Sequence, residues 1–200
     1  MWNGKKKLIK RREVLIALLL IAVSVCVGIF FKFSKRSRYP QADLSKLPSF
    51  AESVDELAET IIPETDTPGA KSSGVGATVL LLVEHCLGEE EQYVFLRGLM
   101  ELDEYCMGKF GNVFARCDSV AKLQTLNHFE SSAMFGGWFI TKVRQRLFGK
   151  PFIVLVKDIC VTAYCRSMEG ATQALAYDPV PARYDACTQM AKGQCSWALV

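Results

Sequence analysis

The longest apolar run of the chain lies close to its N-terminus. Eighteen residues from Val14 to Phe31 carry no charge. As a helix with a rise of about 1.5 Å per residue they would span about 27 Å, close to the hydrocarbon thickness of a bilayer. Residues 1–13 precede the run as a basic segment, and residues 32–52 follow it as a polar linker. The pattern predicts a transmembrane or signal helix over residues 14–31, and we favour an uncleaved anchor over a cleaved signal peptide.

Beyond position 52 the spacing of apolar residues is that of helices. Ser53 and Glu56 fit a capping box, which predicts a helix that begins there and ends at Pro63. Residues 64–76 are rich in Pro, Gly, Ser and Thr and predict an ordered loop. Helices are predicted over residues 77–87 and 93–106, and the second of them places five apolar residues on one face. These five are Phe95, Leu96, Leu99, Leu102 and Cys106.

The second half of the chain continues the helical pattern. Asp118 predicts the N-cap of a helix that runs to about Phe129, and a further helix is predicted over 138–148. The apolar stretch from 152 to 165 predicts a buried central helix, and the chain after Tyr177 predicts a loop-rich tail. No strand-like alternation of more than a few residues occurs. The sequence therefore predicts an all-α fold, with a single compact helical domain over residues 53–200 and a loop-rich C-terminal tail, preceded by the N-terminal helix.

The net charge of +3 conceals an asymmetry along the chain. Residues 1–38 hold ten Lys and Arg and one acid, whereas the remaining residues hold 14 bases and 20 acids. The basic excess before the apolar run favours a cytoplasmic N-terminus, with the main domain on the periplasmic side of a bacterial inner membrane. Because the folded part is acidic, no nucleic-acid partner is expected. A hydrophobic content of 50% excludes a disordered tail protein.

Arg11 and Arg12 stand directly before the apolar run and resemble a twin-arginine export signal, which a receptor reads. Lys10 and Val14 depart from the residues usual in that signal. The alternative interpretation is that the two arginines are simply part of the basic flank. Only the first interpretation predicts export of folded cargo.

Residues that could carry catalysis are scarce. The only histidines, His85 and His128, fall on predicted helices and are expected to be core or boundary residues. The chain has no phosphate-binding loop, no Cys-x-x-Cys pair and no nucleophile elbow. We therefore predict no catalytic, cofactor-binding or metal-binding residues, and expect that the chain is not an enzyme by itself.

The eight cysteines leave two interpretations open. Beyond a membrane they can form disulfides, and the candidate pairs are Cys187 with Cys195 in the tail and Cys106 with Cys117 across a turn. With Cys26 in the apolar run, seven cysteines remain, so at least one is expected to stay free, buried or bonded to another subunit. The other interpretation is a membrane-anchored thiol oxidoreductase or redox sensor, which would need an exposed thiol with a lowered pKa.

Three stretches of the sequence, residues 59–75, 95–126 and 169–199, together resemble the small subunit, subunit 3 or gamma, of gluconate 2-dehydrogenase and related membrane-bound FAD-dependent sugar and polyol dehydrogenases. The resemblance covers essentially the whole extramembrane domain. Ala182 departs from a more usual glycine. The first and last stretches carry the most specific residues, which are Pro63, Asp66, Pro68, Gly69, Ala70, Gly170, Ala171, Tyr177, Pro181, Arg183, Tyr184 and Trp197.

The resemblance implies a division of labour between subunits. In this family a large flavoprotein subunit of the GMC oxidoreductase type holds FAD and the substrate, and a cytochrome c subunit with haem c usually passes electrons to quinone. The small subunit binds no cofactor, supports folding of the large subunit and looks like the carrier of the export signal for both. A free-standing anchored chaperone is the other non-catalytic alternative.

The expected contact surface for the flavoprotein comprises the loop at 63–75 and the tail at 177–197, because Tyr, Trp and Arg are common anchors of interfaces. The alternative is that these residues only fix the loops against their own helices. The interface residues predicted in this way are Pro63, Asp66, Pro68, Gly69, Tyr177, Pro181, Arg183, Tyr184 and Trp197.

Overall fold

The computed structural model of the protein describes residues 11–34, 40–133, 149–178, 180, 187, 189 and 192–198. It divides the chain into two units, residues 1–40 and residues 41–200. In the first unit, helix α1 spans Arg11–Ser34 and includes the apolar run. The large apolar side chains described in α1 are exposed. A search of the described residues finds no helix with both the length and the apolarity needed to cross a membrane. A span at 14–31 stays a prediction.

The second unit is built from helices. No β-strand occurs among its described residues, and the isolated parallel bridge between Ala176 and Trp197 is the only ladder contact found there. This confirms the all-α prediction. The elements are a 3-10 helix Leu44–Phe50, α2 Ala51–Ile61, α3 Val75–His85, α4 Glu89–Phe110, a 3-10 helix Phe114–Arg116, α5 Ser119–Ala133, α6 Phe152–Arg166 and a short π-helix Gly170–Ala174.

Helix α6 is the centre of this unit, and α2, α3, α4 and α5 all pack against it. Its sequence is apolar on most sides, so it can bury side chains against several neighbours at once. The predicted buried central helix at 152–165 is confirmed. The buried residues of α6 are Phe152, Ile153, Leu155, Val156, Ile159, Cys160, Ala163 and Tyr164.

The predicted apolar face of α4 is also confirmed, because all five of its residues are buried. On the same face Gly98 lets α6 approach closely. An ideal Cβ at Gly98 would overlap Cγ and Cδ2 of Phe152 and would lie 2.7 Å from its Cβ. The ring of Phe152 stands edge-to-face with Phe95, with centroids 6.1 Å apart. A glycine is therefore required where the two helices cross.

The start of the domain differs from the prediction. Helix α2 begins at Ala51, directly after the 3-10 helix, and the Ala51 N–H donates to the carbonyl oxygen of Pro48 in that 3-10 helix. Ser53 is therefore buried inside α2 and caps nothing. Leu47, in the segment predicted as a linker, is buried in the core.

The later element boundaries agree better with those predicted from the sequence. The Ala121 N–H donates to Asp118 Oδ1 at 3.0 Å, which confirms Asp118 as the N-cap of α5. Residues 62–74 form the predicted ordered loop between α2 and α3. The helix predicted over 138–148 lies outside the described residues.

Candidate partner-binding face

The loop at 62–74 is folded around one carboxylate. Glu59, near the end of α2, accepts hydrogen bonds from the backbone N–H of Glu64 at 3.0 Å and of Lys71 at 2.8 Å. A Cβ on Gly69 would lie 2.6 Å from Glu59 Oε1 and 2.7 Å from the Glu64 nitrogen. Only glycine leaves room for the carboxylate at this point, so Gly69 fixes the shape of the loop.

A second carboxylate ties the loop to α5. Glu56 forms ion pairs with Lys71 in the loop and with Lys122 of α5, the latter at 2.7 Å. The hydrogen bond from Lys122, and next the one from Lys71, lowers the pKa of Glu56 from its ordinary value of 4.5. A carboxyl group whose pKa is lower in the folded state stabilises the fold above its ordinary pKa, and this contribution is lost as the pH falls through the lowered value.

The loop is also held by α6. The buried hydroxyl of Tyr164 donates to the carbonyl oxygen of Pro68 at 2.7 Å. Pro68 is half-buried and Gly69 is buried, so these two predicted interface residues support the loop. Pro63 and Asp66 are exposed on its outer side. The sequence alone did not separate the residues that support the loop from those that are exposed on its surface.

Directly after α6, at Ser167, the chain turns sharply. The Ser167 hydroxyl donates to the Tyr164 carbonyl at 2.8 Å and accepts the Gly170 N–H at 3.0 Å. A Cβ on Gly170 would overlap the Tyr164 carbonyl oxygen. The turn leads through the π-helix to Ala176, which pairs with the C-terminal segment around Trp197.

This pairing fastens the tail. The Ala176 N–H donates to the Ser196 carbonyl at 2.9 Å, and the Ala198 N–H donates to the Ala176 carbonyl at 2.8 Å. Between the tail and the end of α6 lies an open groove of about 550 Å³, which we call the tail groove. Arg166, Met168, Tyr177 and Ala198 are among the residues that line it.

Large apolar side chains face solvent in and beside this groove. Met168 and Tyr177, which line it, are 74% and 44% exposed, and Trp197, which directly precedes the lining residue Ala198, is 61% exposed. Val161 of α6 is also exposed. Exposed apolar surface of this kind is typical of protein interaction sites, and Tyr, Trp and Met are enriched at their centres.

Both predicted interface blocks therefore reach the same end of α6. Tyr164 holds the first block through Pro68, and the turn at Ser167, directly after α6, leads through the π-helix to the second block, which begins at Tyr177. Tyr177 and Trp197 are both exposed, and their role in an interface stays a prediction. Pro181, Arg183 and Tyr184 lie outside the described residues.

Sequence reasoning missed Val161 and Met168. Val161 lies on α6, which is apolar on most sides, so its outer face could not be told from its core face by periodicity. Met168 lies beyond the end of α6, after the turn at Ser167. Only the packing of α6 against its neighbours separates the two faces.

Two of the buried thiols are poorly suited to thiol chemistry. Burial raises the pKa of Cys106 to about 11 and that of Cys160 to about 12, and a raised pKa removes the thiolate that thiol chemistry needs. All eight cysteines are free thiols in the structure, so neither Cys187–Cys195 nor Cys106–Cys117 is bonded in it. Both pairings stay predictions.

The histidines are placed away from the core. His85 is exposed beside Glu84, and exposed His128 stacks on Tyr105 with ring centroids 4.5 Å apart. Of the two expected placements, core or boundary, the core placement is therefore wrong, and both histidines lie exposed on or at the end of helices. Among the described residues no group of three or more His, Cys, Asp or Glu side chains is arranged to hold a metal ion.

Comparison with known proteins gives one match. The family model described as gluconate 2-dehydrogenase subunit 3 matches residues 49–181, which is about two thirds of the chain. The matched range contains the loop at 62–74, α6 and Tyr177, and it ends before Trp197. No curated protein and no solved structure gives a significant match. The extent of the family match shows that this chain belongs to the gluconate 2-dehydrogenase subunit 3 family.

Proposed function

We propose that this chain is the non-catalytic small subunit of a membrane-associated, FAD-dependent dehydrogenase that oxidises gluconate or a related sugar. The observation that carries the proposal is the family match, which identifies the chain as one subunit of a dehydrogenase complex. In the proposal FAD and the substrate belong to a large GMC-type flavoprotein subunit, and a cytochrome c subunit is the proposed electron acceptor. The small subunit supports the folding, export and membrane association of the flavoprotein.

The tail groove and the neighbouring loop are the proposed contact surface for the flavoprotein. The hydrogen bonds to Glu59 and from Tyr164 fix the loop before a partner arrives. A preformed surface costs less conformational entropy on binding than a flexible one. Trp197 and Tyr177 supply large side chains of the kind that dominate binding energy when a partner buries them.

The N-terminal segment is the proposed export and anchoring element. Arg11 and Arg12 are exposed at the first positions of α1, where a receptor could read them. The uncharged run that follows supports membrane association. Because twin-arginine export accepts folded cargo, the flavoprotein would acquire FAD in the cytoplasm and cross to the periplasm together with this chain.

Substitution of Trp197 tests the contact surface. The tagged full chain is purified in mild detergent from cells that make it naturally, and flavin absorbance is measured per mole of tagged chain. Because Trp197 is largely exposed, Trp197→Ala should leave the melting temperature nearly unchanged. Loss of an interface anchor of about 2 kcal/mol should weaken binding about 30-fold, so most of the flavin should be lost.

Met107→Ala is the matched control, since Met107 is also about half exposed but lies on α4. It should retain the flavin of the unmodified chain. Equal flavin retention in both variants would exclude Trp197 as an anchor of the contact surface. Equal loss in both would point to a general effect of removing exposed side chains.

The exposed apolar side chains at the tail groove also suit a chaperone that has no dedicated partner. Mass spectrometry of the purified material separates the two functions. A single flavoprotein in fixed ratio supports the subunit, whereas many unrelated proteins in small amounts support the chaperone.

A further inference from the structure

The C-terminal segment around Trp197 has one paired backbone edge and one open edge. Ala176 donates to the Ser196 carbonyl and accepts from the Ala198 N–H. Trp197 lies between these two tail residues, so its own N–H and C=O point away from Ala176. Within the part of the chain that the structure describes, neither of these two groups has a hydrogen-bond partner. The outer edge of the segment can therefore pair with a further extended strand.

The two faces beside this open edge both carry apolar side chains. Ala198 lines the tail groove, as Tyr177 does on the neighbouring segment. Because successive side chains of an extended segment lie on opposite faces, Trp197 lies on the face away from the groove, where it is largely exposed. A strand added at the open edge would direct alternate side chains into the tail groove and the intervening ones toward the indole of Trp197. Apolar side chains fit both positions.

The tail groove also holds a positive charge without a counter-ion. Arg166 lies at the end of α6, lines the groove and is exposed. Its guanidinium forms no hydrogen bond or ion pair with any residue that the structure describes. The other lining residues of the groove include no Asp or Glu. Since a guanidinium binds a carboxylate through two parallel hydrogen bonds, the groove is complementary to a segment that carries an acidic side chain.

From these features we propose that the tail groove binds an extended segment of the flavoprotein, which adds as a strand at the open edge of Trp197 and pairs an Asp or Glu side chain with Arg166. In recognition of this kind the main-chain hydrogen bonds give affinity and the alternating side chains give specificity. The inference rests on the proposed function, because that function supplies the flavoprotein as the partner. It adds the conformation and the charge of the segment that binds.

Hydrogen exchange tests the backbone part of the proposal. The tagged full chain is purified in mild detergent, once with its flavoprotein and once from cells that lack the flavoprotein gene. Exchange is followed at single residues by mass spectrometry with electron-transfer fragmentation. In the free chain the amide of Trp197 should exchange faster than that of Ala176, which donates a hydrogen bond. In the complex the Trp197 amide should exchange at least about tenfold more slowly than in the free chain.

Charge reversal tests the ionic part. Arg166→Glu places a like charge against the proposed carboxylate and should weaken binding at least about tenfold, so that most of the flavin is lost from the tagged chain. Arg116→Glu is the matched control, because Arg116 is also exposed and its guanidinium also lacks a partner among the described residues. Arg116 ends the 3-10 helix before α5 and does not line the tail groove, so this variant should retain the flavin of the unmodified chain.

The outcomes separate this proposal from the proposed function. If the unmodified chain purifies with a flavoprotein but its Trp197 amide exchanges equally fast in the free chain and in the complex, strand addition is wrong and the subunit role stands. The same conclusion follows if Arg166→Glu retains as much flavin as Arg116→Glu. An unmodified chain that purifies without a flavoprotein would overturn both proposals. Because exchange is measured on the unmodified chain, that test does not depend on the folding of a variant.

Discussion

Replacement of Gly98 by alanine tests the packing that places α6, and with it the tail groove. Gly98 lies where α4 crosses the first turn of α6. An ideal Cβ at this position would overlap the ring of Phe152 and would lie 2.7 Å from the Phe152 Cβ. The ring could rotate away from a new methyl group, but the Phe152 Cβ can move only if α6 moves with it.

Two opposing effects set the magnitude. Alanine is favoured over glycine inside a helix by about 1 kcal/mol. Overpacking of a core costs about 1–3 kcal/mol, and expulsion of the Phe152 ring would cost about 1.5–3 kcal/mol of lost burial. Phe152 is buried and in edge-to-face contact with Phe95 and Phe129, so any movement of its ring disturbs both contacts. We expect a net destabilisation of about 1–2 kcal/mol.

Gly108→Ala is the matched control in the same helix. A Cβ there has no atom within 4 Å, so only the helix propensity changes and we expect stabilisation by about 0.5–1 kcal/mol. Thermal unfolding followed by circular dichroism should show Gly98→Ala melting about 3 to 6 °C lower than the unmodified chain and Gly108→Ala slightly higher. If Gly98→Ala melted at or above the unmodified chain, the close crossing of α4 and α6 would be refuted.

Three further predictions concern the loop and the N-terminus. Glu56→Gln should lower the free energy of unfolding by about 1–2 kcal/mol at neutral pH, and urea unfolding at falling pH should show this difference vanish as the carboxyl of the unmodified chain becomes protonated. Gly69→Ala should cost about 1–3 kcal/mol in the same assay and lower the flavin yield, because the new methyl group displaces the Glu59 carboxylate; an unchanged unfolding curve would contradict the loop geometry. Arg11→Lys combined with Arg12→Lys should leave this chain and its flavoprotein in the cytoplasm, and unchanged periplasmic dehydrogenase activity would refute the export hypothesis.

Local signals in the sequence predicted much of the fold. The apolar face of α4 follows from one helical period, and the Asp118 cap follows from residue type and position, since its carboxylate bonds an N–H three residues away. Neither depends on distant parts of the chain. The family resemblance also came from local blocks and is confirmed by the match over residues 49–181.

Long-range contacts explain what the sequence could not predict. Glu56 fits a capping box locally, but in the structure it binds Lys122, which lies 66 residues away. The pairing of Ala176 with the segment around Trp197 likewise joins parts of the chain that have no common pattern. The same holds for the tail groove, because only the tertiary structure shows that Val161 of α6 and Met168 beyond its end are exposed.

Long-range contacts also determine which loop residues support the loop and which are exposed on its surface. Pro68 and Gly69 differ from Pro63 and Asp66 in the contacts made by Tyr164 and Glu59, which come from other elements. Composition marks the whole loop as one unit, and only tertiary structure divides it.

Purification of the tagged full chain from native membranes in mild detergent, followed by a visible spectrum and mass spectrometry, tests the central claim most directly. The proposed function predicts a yellow complex that contains one FAD-binding GMC-type flavoprotein and oxidises gluconate or a related sugar with an artificial dye as electron acceptor. A colourless chain that purifies alone at its native level of expression would contradict it.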